Sequence, residues 1–270
     1  MLIGYGYGYP RSMQFGGVSF VGVLDTYPNA SAAYSLRKLR AAYAGSAVRV
    51  RRSNDNAESD IGFTALGDFD SSALSTFVGA NSAFIVTWYD QSGNGYNATQ
   101  STAAAQPRIV NAGTTQTFGT RFGISFDGSD DSLDVVALDA IPLESVFYAN
   151  TPGIDVAGLT ARVAGEYTAI SSTNARYRTA SLNTLQPLTS NAGAAINSFN
   201  RSSNVITAYR NSVASITTLT GAAHTGIQVI GRRPGSTAFG GVLSEFFYYN
   251  SDKASTRAAI EANLIAYYGL

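Results

Sequence analysis

Short apolar runs, each closed by a polar turn, set the rhythm of this chain. From about Gln106 onward the segments PRIV, TRFGISF, SLDVVAL, SVFYAN, EYTAI, ASLNTL, AAINSF, NVITAYR, SITTL, IQVIGR and VLSEFFYY follow one another. Gly, Asn, Ser or Asp punctuate them roughly every ten residues, the spacing of antiparallel sandwiches. The first hundred residues are mixed. VSFVGVL (18–24) predicts a short strand. In SAAYSLRKLRAAYAG (31–45), Tyr34, Leu36, Leu39 and Tyr43 fall near helical spacing, Ser31 can cap and Gly45 can stop, which predicts a helix. Arg37, Lys38 and Arg40 then form its solvated face. AVRVRR (47–52) alternates like a half-buried strand, with Val48 and Val50 inward and its arginines free to pair with the acids of SNDNAESD. Asp70 caps a second short helix over Ser71–Val78, with Leu74, Phe77 and Val78 inward. The closing SDKASTRAAIEANLIAYYGL is an amphipathic helix with Ile260, Leu264 and Tyr268 on one stripe, ending at Gly269.

One stretch combines a strand with chemistry. Phe84–Tyr89 is β-branched and aromatic, and it holds the only Trp of the chain, Trp88. It runs into Asp90, Ser92, Gly93, Asn94 and Gly95, residues that accept left-handed angles or bond their own main chain. Such a turn can present oxygens and an aromatic face at a sheet rim, a combination that suits a sugar. Trp88, Tyr89, Asp90, Gln91, Asn94 and Tyr96 are therefore candidate glycan contacts. The alternative is that Trp88 fills the core and Asp90 closes the turn.

Composition narrows the partners. Of 270 residues, 45% are hydrophobic and only 13% charged, so the chain is globular with a sparsely charged surface. Eighteen basic and eighteen acidic residues cancel, which argues against nucleic acid or anionic lipid. No apolar run is long enough to insert into a membrane. With no Cys and a single His, His224, neither a disulfide framework nor a thiolate or histidine metal site is expected, nor a Ser-His-Asp triad. Residues 1–17 differ: GYGYGYP alternates Gly with Tyr5, Tyr7 and Tyr9, leaving no continuous core face. They read as a docking arm, or as a disordered terminus, ahead of a sandwich domain over 18–270. No secretory signal precedes them, so synthesis in a cytoplasm is expected.

Four blocks resemble a known family: DTYPNASAAYSLRKLRAAYAGSAVRVRRSND, FIVTWYDQSGNGYNATQ, RFGISFDGSDDSLDV and FGGVLSEFFYYNSDKASTRAAIEANLIAYYG. Together they look like the concanavalin A-like (laminin-G-like) jelly-roll domains of bacteriophage tail and virion surface proteins. The first two also resemble the catalytic sandwich of family 54 α-L-arabinofuranosidases. The resemblance implies an all-β, antiparallel two-sheet jelly-roll sandwich with two short helices in the N-terminal half and one at the C-terminus. It also implies that glycans lie on a concave face or at one rim. In lectin-like relatives a Glu at the position of Glu245 ties its strand to a neighbouring turn. In the arabinofuranosidases the general-acid Asp lies in a Gly-rich loop before that strand. Here the loop reads IGRRPGSTAFGG, with Arg232 and Arg233 and no carboxylate, and the enzyme's cysteines are absent.

A glycosidase needs two carboxylates flanking the scissile bond. Since that pair is not carried over, the expectation from sequence is a binder rather than an enzyme. The expected setting is a virion surface, with residues 1–17 docked on other virion proteins. The sandwich would be a homo-oligomer, a trimer by preference, engaging cell-surface polysaccharide. Arg232 and Arg233 would suit an anionic sugar, or would lie in a solvated turn. The alternatives are a purely structural decoration or fibre subunit, and a glycoside hydrolase. No cofactor is expected unless Asp127, Asp130 and Asp131 of FDGSDD hold calcium, which takes six to eight oxygens. Otherwise FDGSDD is a hairpin turn in which Asp127 bonds main-chain amides.

Overall fold

Strand Gly240–Tyr249 is the axis of one layer. Ala32–Ser35 and Ile124–Asp127 pair with successive parts of one of its edges, and Glu144–Asn150 pairs along the other. Ala195–Ser202, Val205–Arg210 and Val213–Thr220 extend this layer outward. The second layer starts with Glu58–Ile61, Val48–Arg52 and Ala83–Trp88. Ala98–Thr99 joins it to Leu133–Leu138, and Ile227–Ile230, Thr160–Val163, Glu166–Ile170, Asn174–Arg178 and Asn183–Pro187 follow. Arg108–Asn111 pairs with Ala83–Trp88 and meets Ile124–Asp127 at Ser125, which makes the ladders continuous between layers. Every one of these pairings is antiparallel, and the architecture is the jelly-roll-like sandwich expected. This computed structural model describes residues 20–138, 144–151, 160–163, 166–170, 174–178, 183–187, 193–202, 205–220, 227–232 and 238–270. The Gly/Tyr arm with Tyr5, Tyr7 and Tyr9 lies outside them, as does Arg233.

Alternation along the strands creates two cores. Tyr34, Phe246 and Tyr148 stand opposite one another on three adjacent strands. Their rings stack at 5.8 and 5.2 Å between centroids, and they face the main core with Trp88, Ile85, Val48 and Val50. The neighbouring side chains Ala33, Phe147 and Phe247, with Tyr249 two residues further on, point the other way and meet helix Arg257–Tyr268. Ile260, Leu264 and Tyr268 of that helix are buried there, each contributing ~1.5–3 kcal/mol on the scale for a large buried side chain. The helix stops at Gly269, which is left-handed at φ 69°, as its position after the apolar stripe predicts. Helix Ser71–Val78 also follows expectation: the Asp70 carboxylate accepts the Ala73 N–H at 2.9 Å, and Leu74 and Val78 are buried. Among the described residues, no helix is long and apolar enough to cross a membrane.

The segment 31–45 departs from the helix its spacing predicts. Ala32–Ser35 is a strand, and Arg37 to Gly45 form turns and irregular chain. The apolar residues are buried as the spacing demands, but from both sides. Ala32 and Tyr34 enter the main core while Ala33 enters the helix-side core, so the main chain must lie within a layer rather than on top of one. Tertiary pairing with Gly240–Tyr249 overrides a weak local preference. In the same region Val23–Thr26 is a short helix where strand 18–24 was expected. Gly22 allows this packing: a Cβ there would lie 2.0 Å from the Leu39 carbonyl oxygen. The Leu24 N–H donates to that same oxygen at 2.9 Å.

Candidate functional site

The loop after Trp88 is tied inward rather than presented outward. Trp88 is fully buried, its ring 5.7 Å from that of Tyr34 and its Nε1–H without a partner. The Asp90 carboxylate accepts from the Ala33 N–H at 2.9 Å, the Ser92 N–H at 2.9 Å, the Ser92 hydroxyl at 2.7 Å and the Tyr96 N–H at 3.1 Å. Gln91 spans 35–39: its amide donates to the Ser35 and Arg37 carbonyls, both at 3.0 Å, and accepts from the Leu39 N–H at 2.8 Å. The Tyr34 hydroxyl donates to the Tyr96 carbonyl. Tyr89 donates to Asp60 at 2.8 Å, and burial and then that partner raise its pKa. Trp88, Asp90 and Gln91 are therefore withdrawn from any ligand. The polar groups of the turn are consumed in fastening residues 30–39. Of the glycan contacts expected in this loop only Asn94 is exposed, with Tyr89 and Tyr96 half-buried.

Glu245 and Arg37 form a second internal clamp, as the resemblance to lectin-like domains implies for this Glu. Arg37 grips the carboxylate bidentately, Nε to Oε2 and Nη2 to Oε1, each at 2.9 Å. The Ser35 hydroxyl at 3.0 Å and the Tyr268 hydroxyl at 2.8 Å complete its shell. Burial alone would lower the Arg37 pKa, but the Glu245 charge and hydrogen bonds outweigh it and the pKa is raised. Burial, then the Glu245 charge, holds Tyr268 well above the ordinary tyrosine range. The sequence places Arg37 on a solvated face. The structure buries it to 8% exposure, because the segment is a strand and loop under the C-terminal helix. Arg49 and Arg52 do pair with the following loop, at Glu58 and Asp55 respectively.

Two of the surface recesses among the described residues bear on the candidate chemistry. The first, about 340 Å³, lies at the outer edge of the fastened loop, between Leu24, Pro28, Asn29 and Ala30 on one side and Ser92–Asn94 on the other. Arg40 enters it. The second, about 130 Å³, is lined by Phe84, Gln106, Arg108, Ser125, Asp127 and Asp131. There the carboxylate oxygens of Asp127, Asp130 and Asp131 lie within 4.8 Å of one another. Asp127 accepts the Ser129 and Asp130 amides at 2.7 and 3.3 Å, and Asp131 accepts the Asp127 amide at 2.9 Å. Asp127 thus bonds main-chain amides as the alternative to calcium expects, but the turn is no hairpin: Ile124–Asp127 and Leu133–Leu138 pair with other strands, and the turn carries the chain from one layer to the other. Three clustered carboxylates would supply part of a calcium shell, yet two of them each have an oxygen already bonded to main-chain amides. Burial, and then the Asp127 charge, raises the Asp131 pKa to about 7. A carboxylic acid that keeps its proton near neutral pH, beside a second carboxylate, can donate a proton. Arg232 is half-buried beside Ala238, its Nε without a partner among the described residues. With Arg233 outside the described residues, the paired-arginine site for an anionic sugar has no described geometry.

The profile of the family described as alpha-L-arabinofuranosidase B, catalytic, matches residues 25–129, under half of the chain. No curated protein sequence matches. A GH54 α-L-arabinofuranosidase soaked with a cyclic sulfate inhibitor superposes with a TM-score of 0.65 at 16% identity. An arabinofuranosidase complexed with arabinofuranosyl-α-1,2-xylobiose gives 0.61, also at 16%. Each alignment covers 88% of this chain and 62% of the other, so the chain spans less than two thirds of those enzymes. The chain folds as a β-sandwich similar to that of the arabinofuranosidase catalytic domain. That corrects the expectation of a phage virion or tail-fibre protein. The family that matches the specific blocks is a carbohydrate-active enzyme, so the fainter of the two resemblances is the one supported.

Proposed function

We propose that this chain is a glycoside hydrolase domain that removes α-L-arabinofuranosyl groups from a polysaccharide. One observation carries the reading: the arabinofuranosidase profile matches residues 25–129, within a fold that aligns with those enzymes over 88% of the chain. The described residues offer one carboxyl pair in an open recess, Asp127 and Asp131. Asp131, pushed up to about 7, acts as general acid to the leaving oxygen. Asp127 attacks the anomeric carbon or activates water, and water completes the hydrolysis. Their oxygen separation of at most 4.8 Å is near the roughly 5–5.5 Å typical of retaining enzymes. Arg108, exposed at the rim of this recess, is placed to bond sugar hydroxyls.

The test is release of 4-nitrophenol from 4-nitrophenyl α-L-arabinofuranoside, with arabinosylated xylo-oligosaccharide as a second substrate. The reading expects turnover by the wild type, and kcat reduced ~10²–10⁴-fold in Asp131→Asn at pH 5, where its melting temperature matches wild type. Wild-type protein inert on both substrates overturns the hydrolase. Turnover unaffected in both Asp131→Asn and Asp127→Asn overturns the assigned pair and leaves the hydrolase standing. A second reading, binding of the same sugars without turnover, is favoured by a separate observation: residues 230–241 hold two arginines and no carboxylate, where the family carries its acid. Saturable binding of the xylo-oligosaccharide with no product would select it.

A further inference from the structure

Arginines in the described residues are generally matched. Arg37, Arg49, Arg52, Arg121 and Arg257 each form an ion pair with an Asp or Glu. Arg51 and Arg108 bond side-chain amide oxygens and lie over the Phe84 ring. Arg40 differs. It makes no side-chain hydrogen bond or ion pair with any described residue, although its Nε is buried. A buried donor left unsatisfied costs about 1–3 kcal/mol, and this unpaired guanidinium also lines a surface recess that an anionic ligand could enter.

The position of this guanidinium is defined by its neighbours. It lies against the backbone of Gly93, where an added Cβ would fall 2.7 Å from Nη2 and 3.2 Å from Cζ. Gly93 has φ +99°, so both its conformation and its missing side chain make room. The loop carrying Gly93 is fastened through the buried Asp90 carboxylate, and the Asn94 amide donates to the Ala30 and Ser31 carbonyls at 3.2 and 3.0 Å. The recess wall is thus pre-formed on both sides. No acidic side chain lines it. The nearest in sequence, Asp25, is turned onto the Gly22 and Ala41 amides, both at 2.8 Å. With about 340 Å³ the recess is within the range of small-ligand sites.

We propose that this recess binds an acidic sugar, with Arg40 taking the carboxylate of a uronic acid residue and the Asn29, Ser92 and Asn94 rim meeting its hydroxyls. A guanidinium fork matches a carboxylate in two hydrogen bonds, and a neutral polar rim suits the rest of the ring. The site is separate from the Asp127–Asp131 recess and stands whether or not the chain cleaves a glycosidic bond. A polysaccharide bearing both neutral branches and uronic acids would engage both.

The experiment is titration calorimetry of the full chain with an oligogalacturonide, its methyl ester, a neutral xylo-oligosaccharide and inorganic sulfate. The expected result is saturable binding of the free acid. The methyl ester and the neutral oligosaccharide should bind at least tenfold more weakly. Arg40→Met and Arg40→Gln should each lose at least tenfold for the acid, with melting temperatures near wild type. Ester and acid binding alike, or no binding of the acid, overturns the proposal without recourse to any variant. Sulfate competing as strongly as the oligogalacturonide overturns the sugar assignment, leaving a general anion contact. Unchanged binding in both Arg40 variants overturns the role of Arg40.

Discussion

Replacing Glu245 with glutamine is expected to destabilise the fold by about 3–5 kcal/mol, the range for breaking a buried ion pair by removing one partner. The structure says why the upper part of that range applies. Glu245 is fully buried and accepts four hydrogen bonds, two from Arg37 and one each from Ser35 and Tyr268. Gln keeps the shape but leaves the Arg37 guanidinium, 8% exposed, without a counter-charge. For a domain of this length each kcal/mol shifts the melting temperature by about 2–4 °C, so a fall of roughly 6–20 °C is expected. Calorimetric melting of wild type, Glu245→Gln, Arg37→Met and the double variant reads this directly. If the pair acts as a unit, the double variant melts above the sum of the two single losses. The same measurement decides what a loss of turnover in Glu245→Gln would mean. Lost turnover with lost stability is a folding effect. A variant that melts within about 2 °C of wild type would refute the clamp, and if it were also inactive Glu245 would move into the catalytic site.

Two further outcomes follow from the same geometry. Asp90→Ala removes the acceptor of three amides and one hydroxyl, and should cost ~2–4 kcal/mol and speed amide exchange at Ser92 and Tyr96; melting and exchange rates unchanged from wild type would show that the loop is held by something else. The Asp131 pKa is raised from the ordinary carboxylate range to about 7, so the group favours folding at acid pH and that contribution is lost as pH climbs through 7. Asp131→Asn should therefore raise the melting temperature relative to wild type at pH 8–9 and not at pH 5, and a pH-independent difference would rule out the elevated pKa.

The elements legible in the sequence are those whose signals are local. Asp70 ahead of Leu74 and Val78 announces a capped helix, and Ile260, Leu264 and Tyr268 before Gly269 announce another. The segment 31–45 was not legible, because its strand exists only through pairing with residues more than two hundred positions away. The buried pair Arg37–Glu245 was half legible. The resemblance to lectin-like domains implied a tie from Glu245, but a helical reading of 31–45 put its partner in solvent. Asp131 gave no signal beyond its acidic neighbours, since its pKa depends on how far the turn buries it beside Asp127. Arg40 stood in plain view and was discounted as one of three surface charges. What sets it apart is a guanidinium without a partner among the described residues at the wall of a recess, which only coordinates reveal.

The residues that make the family resemblance specific are, in this fold, mostly fasteners. Asp90, Gln91, Ser92 and Asn94 of YDQSGNG bind the segment 30–39, and Glu245 of VLSEFFYY binds Arg37 within it. Each satisfies buried main-chain or charged groups that an antiparallel sandwich must bury when a strand crosses under a helix. A motif of that kind travels with the scaffold and is silent about what the scaffold does. The chemistry has to be sought where polar groups are left over once the fastening is complete. Among the described residues two surface recesses hold such groups: one has an acid that keeps its proton near neutrality, the other a guanidinium with no acceptor. These leftovers, and not the conspicuous Trp-bearing loop, carry the functional proposals.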